Sequence, residues 1–113
     1  METFDRFAVV VVPFPFTDRT ATKRRPVLIL SDAAAFNAPA GHAVMAMITS
    51  SGRDRWPLDV PLSDPASAGL AKPCLVRMKL FTLDLRLIVR QLGRLGAADA
   101  GAVEGSIEKL LGR

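Results

Sequence analysis

Short apolar runs rich in valine and isoleucine dominate the chain, and proline, glycine, serine and aspartate separate them. That punctuation predicts strands and turns. The run Ala8 to Val12 is apolar on both faces, so it predicts a strand covered on both sides. Pro13 and Pro15 remove backbone donors and predict the end of its pairing, followed by a loop from about Pro15 to Arg25. Val27 to Leu30 reads as the second strand. Asp32 to Asn37 reads as a helical turn ended by Pro39 and Gly41, and Ala43 to Thr49 as the third strand. Ser50 to Pro57 is a polar loop. Leu58, Val60 and Leu62 alternate with Asp59 and Pro61, the pattern of a half-exposed edge strand. After a connection from Ser63 to Lys72, Leu75–Met78 and Lys79–Leu83 form two short strands or one bent strand. Leu87 to Leu92 reads as the last strand.

The period then changes. Val103, Ile107, Leu110 and Leu111 fall at i, i+4, i+7 and i+8, one face of a helix. Asp99 suits its first turn, Lys109 its last, and Gly112 its stop. Gly101 and Gly105 weaken this helix, so packing must hold it. The pattern predicts a mainly β protein: one domain over residues 1–113, a small barrel of five to seven strands with short helices and a C-terminal helix.

Length and composition narrow the function. A chain of 113 residues can bury a core without disulfides. Its apolar runs are strand-length and do not span a bilayer. The start, Met1 to Asp5, lacks the basic and apolar regions of a secretory signal, and Cys74 is the sole cysteine. Both features lead to the expectation of a cytoplasmic protein with no membrane association. The net charge is +4 and the sequence pI is near 10.0. Such a balance favours nucleic acid or an acidic protein partner, or serves solubility alone.

Most catalytic signatures are missing. His42 is the sole histidine, so one chain cannot supply two imidazoles as acid and base. One histidine and one distant cysteine make a poor zinc set, and no Gly-rich phosphate loop occurs. The acids are scattered rather than clustered for two-metal chemistry. A binder or enzyme without metal or cofactor remains. The informative segment is basic: Arg19, Lys23, Arg24 and Arg25, closed by Pro26. Proline biases Arg25 toward extended backbone, where a planar guanidinium can grip phosphate oxygens. The alternative is a solvated basic loop. Thr49, Ser50 and Ser51 bring hydroxyls to a strand end, as phosphate donors or as ordinary β-strand chemistry. Arg53 lies in the loop that follows. Trp56 either stacks a base or covers the barrel end. Cys74 reads as a small buried apolar side chain.

Several segments together resemble MazF/PemK-like toxins. They are Val10-Val11-Val12-Pro13-Phe14-Pro15-Phe16-Thr17-Asp18, Lys23 to Ser31 with its Arg25-Pro26, Phe36-Asn37, and Ala46-Met47-Ile48-Thr49-Ser50. Trp56-Pro57-Leu58-Asp59-Val60, Gly69-Leu70, Lys79 to Asp84 and Gly93-Arg94-Leu95 continue the pattern over nearly the whole chain. The resemblance implies an SH3-like β-barrel, a homodimer and the toxin of a type II toxin–antitoxin system. It implies metal-independent, sequence-specific cleavage of single-stranded RNA. It also implies a cognate antitoxin, typically with an acidic disordered tail. The catalytic pair carries over to Arg25 and Thr49. Arg19, Lys23, Arg24, Ser50, Ser51, Arg53 and Trp56 become the RNA-binding set. A non-catalytic or gyrase-inhibiting barrel of the same fold is the alternative, and a harmless RNA-binding barrel a third. Many relatives carry Gly-Asp where this chain has Phe7-Ala8, which bears on activity if that aspartate supports the site or the turn.

Overall fold

The computed structural model describes residues 4–14, 23–52 and 54–113. Among these residues six strands form one antiparallel sheet: β1 (Ala8–Phe14), β2 (Lys23–Ile29), β3 (His42–Ser50), β4 (Val60–Pro61), β5 (Cys74–Asp84) and β6 (Arg90–Arg94). Their order is β4-β5-β3-β2-β1-β6, a curled half-barrel. A π-helical turn, Ala33–Asn37, runs into the single turn α1 (Ala38–Ala40), a 3-10 turn spans Leu85–Leu87, and α2 (Ala97–Leu110) closes the chain.

Alternation along the strands feeds two cores, one on each face. Val9, Leu28, Ala46, Ile48 and Val76 pack with Val103 of α2. Val10, Val12, Val27, Ile29 and Met45 pack with Phe4 and Leu85 on the other face. This explains why the central strands are apolar at successive positions.

The sheet curls until a turn carries its two edges together. Arg94 N–H donates to Ser67 O at 3.1 Å. A Cβ at Gly93 would lie 2.4 Å from Ser67 O, and one at Gly69 would lie 2.4 Å from Leu92 O. Only glycine permits this backbone approach, and Gly69 also has φ +76. Helix α2 is anchored beside it by a buried carboxylate, Asp99, which accepts from Ser63 N, Ser63 Oγ and Asp64 N.

The expected elements exist, with shifted limits. β1 continues through Pro13 to Phe14, paired with Arg24 and Lys23. Val11 O accepts from Val89 N on the β6 side, so Pro13, two residues on, turns its missing N–H toward the same side. There β6 pairing has already ended at Val11–Arg90. β2 starts at Lys23, so Arg25 lies within a strand and not at the end of a loop. The segment 74–84 is one bent strand: Met47 pairs with Arg77 and Ala46 with Leu80, leaving Met78 and Lys79 as a bulge. The edge strand shrinks to Val60–Pro61. The expected strand over Leu87–Leu92 is corrected. Asp84 caps a 3-10 turn through Arg86 N, and pairing begins at Arg90. Of the expected helix face, Val103 is buried and Ile107 packs against the core, whereas Leu110 and Leu111 are exposed. Pro39 lies inside α1, and Gly41 alone, at φ 65, ends it.

Phe7 holds φ 70, left-handed backbone that costs a non-glycine residue about 1–2 kcal/mol. The turn is nevertheless closed, by Ala8 N to Asp5 O and by Phe7 N to Ile29 O. Ala8 is buried in the apolar cluster of Val10 and Val12.

Candidate functional site

The strand registers assemble a row across one face of the sheet. β1 pairs Val12 with Arg25. β2 pairs Ile29 with Met45 and Val27 with Met47, its last pair with β3; the same register extended two residues further would set Arg25 opposite Thr49. Thr49 pairs with Leu75 and Leu75 with Pro61. Directly opposed residues share a face, with Cα atoms about 4.5–5.5 Å apart. Thr49 and Leu75 are therefore direct neighbours on one face, and the extended β2–β3 register adds Arg25 to their line.

Pro26 shapes the middle of that line. Leu30 N donates to Val44 O at 2.8 Å, so even-numbered positions of β2 direct their amides toward β3. Pro26 occupies the next such position but one and has no amide to give. The β2–β3 ladder accordingly stops at Val27–Met47, and the missing rung is the one Pro26 would share with Ile48.

Arg25 is half-buried. Its guanidinium carbon lies 5.1 Å from the centre of the Phe14 ring, a cation–π contact that limits its rotamers. Among the described residues no carboxylate forms an ion pair with it. Thr49 is half-buried at the end of β3. One pair along the same face, opposite Met47, Arg77 donates from Nε and a terminal nitrogen to both oxygens of Asp59, at 3.2 and 3.0 Å. Hydrogen bonding to Asp59 raises the Arg77 pKa further, so this cation is permanent.

The remaining expected residues divide. Lys23 lies two residues from Arg25 and shares its face. Arg24 and Ser50, paired with Pro13 and Cys74, face the other way. Ser51 is exposed and lines a cavity next to Leu75. Arg19 and Arg53 lie outside the described residues. Trp56 is 42% exposed, with the Lys79 ammonium 4.6 Å from its ring centre. His42 is exposed at the far end of β3, seven residues and about 23 Å from Thr49. Cys74 is buried, and burial pushes its thiol pKa up against the opposing charge of Lys72. Ala8 lies four residues, about 13 Å, along β1 from the Val12–Arg25 pair, so the Phe7-Ala8 departure does not touch the row. Arg77, Asp59, Asp54 and Lys79 were not singled out in the sequence. A lone arginine inside the apolar run Leu75 to Met78 was the available signal.

Among the described residues no three His, Cys, Asp or Glu side chains converge as a metal-binding group. No helix among them is long and apolar enough to cross a membrane.

A curled antiparallel sheet backed by a C-terminal helix, with basic residues along one strand end, places the molecule among small mainly β barrels. The profile of the family described as PemK-like, MazF-like toxin of type II toxin–antitoxin system matches residues 5–111, and the chain belongs to that family. Among solved structures it is similar to MazF from Deinococcus radiodurans, at 29% identity over 100% of both chains and a TM-score of 0.76. The MazE–MazF complex of the same organism matches at 28% identity over 99% of this chain and 98% of that chain, with a TM-score of 0.76. An endoribonuclease in complex with its cognate antitoxin, from a mycobacterial species, shares the fold at 20% identity, covering 99% of this chain and 96% of that chain, with a TM-score of 0.76. Among curated proteins none matches significantly.

Proposed function

We propose that this chain is the toxin of a type II pair and cuts single-stranded RNA at a short sequence without a metal. The observation that carries this reading is the register of β1, β2 and β3, with Val12 on Arg25 and Val27 on Met47; extended past Pro26, it brings Arg25 and Thr49 to one face. The membership of the family and the endoribonuclease of the same fold support it.

RNA supplies its own nucleophile, the ribose 2′-hydroxyl. Its oxygen attacks phosphorus, the bond to the 5′-oxygen breaks, and the 2′-proton is lost as the leaving oxygen gains one. The products are a 2′,3′-cyclic phosphate and a 5′-hydroxyl. The protein must align the attack and stabilise charge on the crowded phosphorane. Arg25 does so with a planar, permanently charged fork. Thr49 donates a hydrogen bond from the neighbouring strand and fixes the phosphate. An arginine is a weak proton donor at neutral pH, so stabilisation is its main role. Lys23 extends the positive surface along the backbone. Arg19, Arg24, Ser50, Ser51, Arg53 and Trp56 complete the proposed RNA-contacting set.

The same proposal takes the chain as a single toxin domain, cytoplasmic and homodimeric. A cognate antitoxin covers the basic face with an acidic segment, as the antitoxin complexes of the similar structures suggest. The test is end-mapping on a long RNA in excess chelator. The reading expects cuts within one short motif, with cyclic phosphate ends. Intact RNA under these conditions refutes it.

A further inference from the structure

The row continues past Thr49 into a cavity of about 400 Å³, walled by Leu75 and Pro61 and by the loop bearing Asp54, Arg55, Trp56 and Leu58. Two carboxylates, Asp54 and Asp59, line it together with the Arg55 cation. Asp59 is committed, holding Arg77 with both oxygens and accepting Trp56 N at 3.1 Å. Asp54 is tied by its backbone, its carbonyl accepting from Arg77 at 3.4 Å. Its carboxylate has no hydrogen-bond partner among the described residues, its charge acts on Arg77, and Asp54 lines the open cavity. Carboxylates repel phosphate and accept from N–H donors. The apolar walls and the exposed indole, braced by Lys79 over its ring, suit a flat ring.

We propose that this cavity takes one unstacked guanine of the substrate RNA, next to the cleaved linkage. This rests on the ribonuclease reading. Asp54 accepts from N1–H and the N2 amino group, a parallel pair of donors that guanine alone presents on its Watson–Crick edge. Arg55 donates to O6, and Trp56 forms the stacking surface. Leu75 is one strand, about 5 Å, from Thr49. A base seated against it therefore belongs to the nucleotide at the Thr49-bound phosphate or its neighbour. Asp54 is thus a specificity-determining residue, set apart from the phosphate-binding pair.

Trp56 is the chain's one tryptophan, so intrinsic fluorescence reports on this cavity directly. The test titrates the protein in chelator with GMP, AMP, CMP and UMP, and maps cut sites for wild type and Asp54→Asn. The expected result is quenching by GMP above the other three, weakened about tenfold to a hundredfold by Asp54→Asn. A guanine at one fixed position beside the cut should also be relaxed in that variant. Equal quenching by all four nucleotides, preference for another base, or unchanged selectivity in Asp54→Asn overturns the assignment. Selective GMP quenching lost in Asp54→Asn, by a protein that cuts no RNA, upholds the guanine site and removes the nuclease reading. Cutting without guanine preference does the reverse.

Discussion

Asp99 holds Ser63 by both its amide and its hydroxyl, each at 2.8 Å, and so fastens the first turn of α2 to the segment after β4. Asp64 N adds a third bond at 2.9 Å. Burial would raise this carboxyl's pKa, but the donated hydrogen bonds outweigh it and hold the pKa below the ordinary 3.8. Because the folded value is depressed, the stabilisation is fully present above about pH 4. It is lost as pH falls through the lower folded value. Asp99→Asn turns an amide donor toward two backbone donors and should cost about 1–3 kcal/mol at pH 7. Urea unfolding at a series of pH values should show the gap between wild type and Asp99→Asn closing in acid. A gap independent of pH would contradict this role.

The glycines should split into two groups. Gly93→Ala and Gly69→Ala drive a methyl into Ser67 O or Leu92 O and should each destabilise by about 1–3 kcal/mol. Gly69 adds left-handed strain. Gly101 and Gly105 in α2 meet nothing within 4 Å, so alanine there should stabilise by about 0.5–1 kcal/mol each. Thermal and urea unfolding of the four variants checks both signs.

Asn37 is fully buried and donates to Phe4 O at 2.8 Å and Ser31 O at 3.0 Å. It accepts from Ser31 Oγ, which in turn accepts from Val44 N. Asn37→Leu orphans these groups at the junction of the N-terminal segment, β2 and β3. It should lower stability by about 2–3 kcal/mol, read by urea unfolding. The same variant should leave the Arg25–Thr49 register at the opposite end of β3 unaltered and retain RNA cleavage while folded.

Much of this architecture could be read from the residues. Apolar runs predicted β1, β2 and β3, and the change of period predicted α2. Three features were hidden for local physical reasons. Pro13 looked like a terminator because its partner side could not be known. It faces an edge where pairing had already ceased. Leu85, Leu87 and Ile88 have strand-like hydrophobicity but bury themselves as a turn on the second core, which periodicity cannot separate from a strand. Asp99 looked like a helix-dipole residue, and its real partners are 35–36 positions away. At the proposed site, Arg25 and Thr49 were singled out through the family's motifs. Their opposition across β2 and β3, and the Arg77–Asp59 pair beside them, depend on register, which single-chain spacing does not reveal.

The proposal that Arg25 and Thr49 act on one phosphate rests on that register. The direct measurement is a double-mutant cycle on single-turnover RNA cleavage in chelator, with Arg25→Lys, Thr49→Val and both together. Each single change should slow cleavage by about 10²–10³, and the pair should lose little beyond the worse single. Cleavage at the wild-type rate in either single variant, or losses that simply multiply, would contradict the account.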